Sequence, residues 1–169
     1  MEKFVNDKKR WAYTFHNIAF LTRMKLILEA LTTTKKKFII LDRSLMSDVK
    51  TFAPVLYDDG YLDKFELNTY LMWNQFFSKY FSDYSNGYSI IYLRTDPKVA
   101  FERMAKRARP EEKPLDLSYF EKLHGKHDEW LLDECQDEGH VLVLDGNTDF
   151  QNNEDDYKKM LKQILRQLI

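Results

Sequence analysis

The segment KRARPEEKP, residues 106–114, concentrates opposed charges in a chain whose formal net charge is only -1. Three basic side chains stand before two glutamates, and prolines at positions 110 and 114 enclose the acidic pair. Such a segment is too short and too charged to belong to a core, and Arg109 could close over a ligand as part of a mobile flap. Arginines presented in this way suit the transfer of a phosphoryl group, where catalysis consists largely of positioning and charge stabilisation.

The same basic residues also have a structural interpretation. Arg103, Lys106 and Arg107 share one helical neighbourhood near the predicted end of a helix, and cations at that end complement the helix dipole. The spacing alone leaves both interpretations open.

Asp42 and Arg43 follow the short apolar run FIIL. At the end of a strand a carboxylate can hold a hydrated metal ion, and an arginine can bind phosphate through two parallel N–H groups. A structural ion pair or a loop anchor is the alternative. Asp48 lies one helical turn beyond Ser44 and could face the same cleft, or it could simply favour the dipole at the start of a helix.

Polar residues also interrupt the first apolar helix. His16 and Arg23 are seven residues apart, which places them on one face, two turns from each other. This pattern indicates a cavity, whereas a hydrogen-bonded core histidine is the structural alternative. His124 and His127 are spaced i, i+3 without an apparent third ligand, so we interpret them as structural or exposed.

The elements that must position these residues alternate between strand and helix. Short apolar runs rich in β-branched residues predict three buried strands, at 37–42, 88–93 and 140–145. Helical spacing and capping signals predict helices at 9–30, 47–58, 62–83, 97–108, 116–134 and 153–168. The alternation predicts the α/β class with a mainly parallel sheet, in which ligands gather at the carboxyl ends of the strands. No repeat or linker divides the chain, so residues 1–169 are expected to form a single domain.

Composition argues against several classes of protein. The near-neutral charge provides no broad basic field for nucleic acid or anionic membranes, and no apolar stretch is long enough to cross a bilayer. The start, MEKFVNDKKR, lacks the apolar core of a signal peptide, and Cys135 has no partner for an internal disulfide. We expect a cytoplasmic protein, with a mitochondrial location left open, that binds neither nucleic acid nor membrane.

Five segments, taken in order, resemble the deoxynucleoside kinase family, which includes deoxycytidine, deoxyguanosine, mitochondrial thymidine and bacterial deoxyadenosine kinases. They are RWAYTFHNIAFLTR, LDRSLMSD, IIYLRTDP, ERMAKRARPEE and LSYFEKLHGKHDEWL. Each segment alone is weak evidence, and it is their combination in this order that is specific to the family. The resemblance implies a P-loop kinase-like parallel sheet flanked by helices. It also implies transfer of the γ-phosphoryl of ATP, or another nucleoside triphosphate, to the 5′-hydroxyl of a deoxynucleoside with Mg²⁺, in nucleotide salvage.

The resemblance further implies roles for individual residues. Asp42 would sit by the metal and the phosphates, and Arg43 would contact the reacting 5′ region. The donor phosphates would be surrounded by Arg103, Arg107 and Arg109, the last two as catalytic residues of the lid. Glu112 would bind the sugar 3′-hydroxyl, and the base pocket would be lined by His16, Arg23, Asp48 and Phe52.

Two of the substrate positions depart from the family pattern. His16 stands where the family usually has a glutamine that makes two hydrogen bonds to the base, and an imidazole cannot present a donor and an acceptor side by side. Val5 stands where a tyrosine commonly joins the lid glutamate at the sugar. Both departures bear on nucleoside preference.

The family's phosphate loop, GxxxxGK[ST], has no counterpart in this sequence. The five glycines are at positions 60, 87, 125, 139 and 146, and the one Gly-Lys pair, at 125–126, lies in a predicted helix. We therefore expect the first two strands of the family to be absent and the domain to be N-terminally incomplete. In the family the first strand is central in the sheet, between the strands that match 37–42 and 88–93. A missing segment, a partner chain or a rearranged sheet would then take the place of that strand.

Two functions follow from these patterns. The first is a deoxynucleoside kinase, and the alternative is a catalytically inactive kinase-like subunit that serves as a binding or assembly partner. The family also implies a homodimer through the helices matching 9–30 and 62–83. The aromatic-rich run from Tyr70 to Tyr80 is compatible with that interface and equally compatible with a core.

Overall fold

The computed structural model describes residues 2–80, 89–109, 112, 115–135, 141–150 and 152–168. The chain forms two compact units, Met1–Ser82 and Asp83–Ile169. Among the described residues, no helix combines the length and the apolar character that crossing a membrane requires. The prediction of a single domain stays a prediction.

The first unit is helical in its described part. Its elements are α1 (Glu2–Asn6), α2 (Lys8–Thr33), α3 (Leu45–Ser47), a π-helical turn (Asp48–Phe52), α4 (Ala53–Asp58) and α5 (Lys64–Tyr80). The Asp7 side chain caps α2 by accepting a hydrogen bond from the backbone N–H of Arg10. The helices enclose a core of Ala12, Phe20, Met24, Ala53, Leu56, Leu62 and Tyr70.

The buried face of α2 is a narrow stripe of every fourth residue. Ala12, His16, Phe20 and Met24 are all buried along it, as the i, i+4 geometry of a helix requires. A histidine therefore occupies a position that the periodicity otherwise gives to apolar side chains.

The second unit contains two strands and three helices in the residues described. They are β1 (Ile90–Arg94), α6 (Pro97–Arg107), α7 (Leu117–Asp128) with a π-helical turn (Glu129–Glu134), β2 (Val141–Asp145) and α8 (Glu154–Leu168). The strands pair in parallel, with Ile90 opposite Val141 and Arg94 opposite Asp145. The parallel arrangement and the α/β alternation of this unit agree with the sequence. Predicted residues 81–83, 88 and 140 lie outside the described part of the chain.

The strand predicted at 37–42 is wrong for this structure. Residues 38–41 form no helix or strand, and their large side chains are exposed, with Ile40 at 83%. A strand needs a neighbour to satisfy its backbone groups, and no strand in the described part of the chain pairs with this segment.

The prediction of fully buried strands also needs correction. Tyr92 and Leu144 are buried, but Ile91, Leu93 and Val143 are exposed on the alternate positions. Side chains of a strand point alternately to two faces, and the register places Tyr92 and Leu144 on opposite faces of the sheet. Each face is therefore only partly covered by described residues.

Candidate functional site

A buried polar cluster lies in the first unit. His16 of α2 and Asp48 of the π-helical turn are both buried, with His16 Nδ1 2.8 Å from Asp48 Oδ2. Tyr70 of α5, which is 1% exposed, donates its hydroxyl to the same oxygen of Asp48. Two helices that are distant in sequence, α2 and α5, thus bring polar side chains to one carboxylate oxygen of the π-helical turn.

Local chain geometry turns Asp48 into the interior. Ser44 caps α3 by accepting a hydrogen bond of 3.1 Å from the backbone N–H of Ser47. Asp48 then follows one turn after the cap, and its side chain meets α2 and α5. Of the two interpretations drawn from the sequence, the structure therefore favours the inward-facing carboxylate over one that only interacts with the helix dipole.

Hydrogen bonds and nearby positive charge compensate for the burial of the Asp48 carboxylate. Burial acts to raise the pKa of Asp48, but hydrogen bonds from His16 and Tyr70 and the attraction of His16 and Arg23 outweigh it, so this pKa lies below its usual value. Burial and the neighbouring carboxylate raise the pKa of the Tyr70 hydroxyl. At neutral pH Asp48 is therefore an ionised acceptor and Tyr70 a neutral donor.

Aromatic rings form the walls around the cluster. The His16 ring meets Phe15 edge-on at 5.7 Å and Tyr70 at 5.9 Å between centroids. Phe4 of α1 stacks on Phe15 at 4.5 Å. Val5, also on α1, is half-buried and has no polar side-chain atom to offer a sugar. Aromatic rings packed around a small polar group are also found in sites for planar ligands.

Arg43 and Phe52 lie together elsewhere in the same unit. The Arg43 guanidinium is 4.5 Å from the centroid of the Phe52 ring, within the range of a cation–π contact. Arg43 has a backbone φ of 66°, a conformation that few residues other than glycine adopt and that often marks functional positions. Asp42 beside it is exposed, so its carboxylate is open to solvent.

The predicted lid residues converge in the second unit. Arg107 Nη2 lies 2.5 Å from Glu112 Oε1 and its Nε 3.2 Å from Oε2, a two-point contact. Arg109 Nη1 lies 3.9 Å from Glu112 Oε1. Helix α6 ends at Arg107, and the C-cap Ala108, with a left-handed φ of 53°, turns the chain. Two guanidinium groups therefore share one carboxylate, which leaves positive charge for an anion.

Arg103 does not join this group. Its guanidinium donates to the backbone carbonyls of Gly146 at 2.5 Å, Asn147 at 3.0 Å and Thr148 at 3.4 Å. The side chain thereby ties α6 to the turn that follows β2. Its predicted role at the donor phosphates stays a prediction, beside a structural role that the sequence did not indicate.

A second polar network joins β1 to α7. Asp128 accepts hydrogen bonds from Tyr92 at 2.8 Å and from two nitrogens of Arg94 at 2.9 and 2.7 Å. The bond from Arg94 holds the pKa of Asp128 below its usual value despite partial burial. His124 Nε2 lies 3.2 Å from the same carboxylate, in agreement with its interpretation as a structural residue.

The described residues contain no group of three His, Cys, Asp or Glu side chains that could hold a metal ion. A magnesium ion that arrives with a nucleotide needs only one or two carboxylates, because phosphates and water complete its octahedron. The exposed carboxylate of Asp42 fits that mode of binding.

Tyr70 is the residue of the cluster that the sequence reasoning missed. The sequence places Tyr70 in an aromatic run compatible with interface or core; its ring lies in the core, and its hydroxyl donates a hydrogen bond to Asp48. A buried tyrosine usually finds a hydrogen-bond partner, but its identity depends on packing between distant segments.

Comparison with known proteins gives consistent matches over the whole chain. The family model for deoxynucleoside kinase matches residues 1–169. A probable deoxycytidine kinase of fowlpox virus (strain NVSL) is 38% identical over 166 residues, which cover 97% of this chain and 69% of the relative. The mitochondrial deoxyguanosine kinase of Xenopus laevis is 35% identical over 164 residues, 90% of this chain and 62% of the relative. The deoxycytidine kinase of Homo sapiens is 31% identical over 179 residues, 99% of this chain and 69% of the relative. The chain thus spans roughly two thirds of the length of these relatives.

Proposed function

The chain belongs to the deoxynucleoside kinase family, and from this premise we propose that the protein transfers the γ-phosphoryl group of ATP, or of another nucleoside triphosphate, to the 5′-hydroxyl of a deoxynucleoside. The reaction would return free deoxynucleosides to the nucleotide pool by salvage. The preferred deoxynucleoside stays open, because the relatives include both deoxycytidine and deoxyguanosine kinases.

The observation that carries this proposal is the buried cluster of His16, Asp48 and Tyr70. Burial of a histidine of α2 against a carboxylate of the π-helical turn gives up apolar contacts, and such an arrangement supports recognition of a planar polar ligand. In the proposed site Arg23 supplies further hydrogen-bond donors to the base. Phe52 would pack against the base, and its present contact with Arg43 supports a place close to the reacting 5′ region.

The arginines of the lid would act on the phosphates. Arg107 and Arg109 bring two positive charges to one carboxylate, Glu112, so they can stabilise negative charge that develops on a transferred phosphoryl group. Glu112 would exchange its contact with arginine for the sugar 3′-hydroxyl. Arg103 is proposed as a third, more peripheral positive charge at the donor.

Asp42 would hold the magnesium ion of the donor, and Arg43 would orient the 5′-hydroxyl. A bound magnesium ion would offset negative charge on the phosphates. The alternative function, an inactive kinase-like subunit, has no specific observation in its favour, because each of the relatives reported above is named as a kinase.

A homodimer is part of the proposal. α5 carries exposed apolar side chains at Phe65, Met72, Trp73 and Phe76, which lie within about one third of the helix circumference. A face of this kind on a long helix supports contact with a second copy of the chain.

The proposed function is tested by assaying phosphoryl transfer from labelled ATP, with magnesium, to each of the four common deoxynucleosides. The protein should be purified as the cell produces it, so that any sequence beyond these 169 residues is included. We expect the double variant R107A/R109A to lose about 10³-fold or more in kcat, because arginines that stabilise the transition state contribute on that scale.

The matched control removes the same number of charges from α8. Lys158 and Lys159 form only exposed pairs within their own helix, so K158A/K159A should keep the wild-type rate. Failure of the wild type to phosphorylate any deoxynucleoside would refute the proposed function, and an unchanged rate in R107A/R109A would refute the role of the lid arginines.

A further inference from the structure

Helix α6 is joined to the turn after β2 at two points along one of its sides. Before the first turn of the helix, the backbone N–H of Asp96 donates to the side-chain oxygen of Asn147 at 2.8 Å. Seven residues later, which is two helical turns, Arg103 donates to the backbone carbonyl oxygens of residues 146–148. The two attachments together restrain both the place of α6 and its rotation about its own axis.

The turn that receives these bonds is itself fixed to the sheet. Asp145, the last residue of β2, accepts hydrogen bonds from the backbone N–H of Asn147 at 2.9 Å and from the Thr148 hydroxyl at 3.2 Å. The backbone N–H of Gly146 donates to the carbonyl of Arg94, the last residue of β1, at 2.8 Å. The carbonyls bound by the guanidinium therefore belong to a turn held by both strands, and they connect α6 to the sheet.

A contact between two rings holds α6 on another side. Phe101 meets Phe120 of α7 edge-on, with 5.8 Å between the centroids. Phe101 is two residues before Arg103, so it lies on nearly the opposite side of the helix. Apolar contacts are non-directional, whereas hydrogen bonds weaken steeply when their angle changes. The bonds to the turn therefore set the position of α6 more narrowly than the ring contact does.

The last residue of α6 is Arg107, one helical turn beyond Arg103. Residues four apart are neighbours on the surface of a helix, and like charges at this spacing are unfavourable. Helix stability therefore does not explain the pair. Arg103 gives both of its terminal nitrogens to the turn, so the anchor of the helix lies one turn before the guanidinium that is proposed to act on the phosphates.

We propose that Arg103 is a positioning residue for Arg107. Its bonds to the turn hold α6 on the sheet and so place the Arg107 guanidinium where charge develops on the transferred phosphoryl group. The inference rests on the phosphoryl transfer proposed above, and it gives Arg103 a geometric role in addition to the charge proposed there. A displacement of about 1 Å caused by a remote change can cost about 100-fold in rate, so the loss of such an anchor is sufficient to slow the reaction.

Replacement of Arg103 by lysine separates geometry from charge. R103K keeps the positive charge, but a compact ammonium group lacks the planar set of donors that binds three carbonyls. We expect kcat for deoxynucleoside phosphorylation, measured on the protein purified as the cell produces it, to fall about tenfold or more. In an R107A background the same replacement should change kcat by less than about threefold, because the guanidinium that Arg103 positions is already absent.

The matched control is R166K, which makes the same replacement at an exposed position of α8 and should keep the wild-type rate. N147A removes the acceptor for the Asp96 N–H, so it should repeat the pattern of R103K, and it carries the test if R103K does not fold. Amide hydrogen exchange gives a readout that is independent of activity. The amides of α6 should exchange about tenfold faster in R103K than in the wild type, and those of α8 at an unchanged rate.

Each contrary result has a separate meaning. A wild-type rate in R103K would overturn the inference and leave the proposed function standing, because charge alone would then account for Arg103. An equal loss with and without Arg107 would also overturn it, because Arg103 would then act independently of Arg107. Unchanged exchange of the α6 amides would show that the bonds to the turn do not hold the helix, which overturns the inference as well. An inactive wild type would overturn the proposed function, and this inference with it.

Discussion

An ionised carboxylate in a helical core is costly unless its charge is met by hydrogen bonds and opposite charge. Asp48 meets this condition through His16 and Tyr70, with Arg23 adding a favourable field. At the scale of single residues, burial of the Asp48 charge in the first unit therefore depends on His16 and Tyr70 together. Removing Asp48 leaves both His16 and Tyr70 without this partner, whereas removing either of them takes one hydrogen bond from the buried carboxylate.

Substitution of Asp48 by asparagine should destabilise the protein in a pH-dependent way. The folded pKa of Asp48 lies below its usual value of 3.8, so the ionised carboxylate favours the folded state. That contribution is complete above the unfolded pKa and is lost as pH falls through the folded pKa. We expect D48N to be less stable than wild type by about 2 kcal/mol at pH 7, with the difference shrinking below pH 3.8.

Urea unfolding at a series of pH values measures this difference. Asp58 is exposed at the end of α4, so D58N is the matched control and should change stability by less than about 0.5 kcal/mol. A D48N deficit that stays constant down to pH 2 would contradict the assigned ionisation of Asp48.

At the scale of elements, the turn after β2 is held by contacts with β1 and α6. The backbone N–H of Gly146 donates to the carbonyl of Arg94 at 2.8 Å, and Arg103 binds the carbonyls that follow. A Cβ on Gly146 would press on Thr95 Oγ1 and lie 3.0 Å from the carbonyl oxygen of Arg94. The strand end therefore has no room for a side chain at this position.

Replacement of Gly146 by alanine should be destabilising, by roughly 1–3 kcal/mol, because the backbone of β1 or the turn must shift. Gly125 offers a control of opposite sign, since a Cβ there meets no atom within 4 Å and the residue lies inside α7. G125A should stabilise by up to about 1 kcal/mol through helix propensity. Denaturant midpoints compare the two, and a neutral G146A would show that the close approach is not maintained in solution.

Sequence patterns located elements better than they located pairing and burial. β-branched runs predicted both strands of the described sheet, the alternation of strands and helices predicted their parallel direction, and Asp96 before Pro97 marked the start of α6. The run at 37–42 has the same local pattern, yet it is not a strand, because pairing depends on a neighbour that local pattern does not specify. His16 and Asp48 were predicted site residues, whereas Tyr70 was missed because its contact spans 22 positions.

At the scale of the whole molecule, the first unit exposes much apolar surface on its two long helices. Ile18 and Leu21 of α2 and the α5 face defined above are exposed in a single copy of the chain. Surfaces of this kind are uncommon on monomers unless they bind a partner. The sequence could not separate interface from core in α5, because both require apolar side chains at helical spacing.

We expect the protein in solution to have twice the mass of one chain, and charge placed on the exposed α5 face should reduce it to a monomer. The double variant F65K/M72K introduces two cations where side chains are 81% and 68% exposed, so folding of a single copy should be little affected. Light scattering after size exclusion measures the mass. Y157K, an exposed aromatic of α8, is the control, and a dimer that persists in F65K/M72K would exclude this face.

Position 16 also bears on how the protein can change over generations. Histidine and glutamine codons differ only in the third base, so one nucleotide substitution exchanges the ring that lies 2.8 Å from the Asp48 carboxylate for an amide. A hydrogen-bond partner of the buried Asp48 charge is thus one mutational step from being replaced.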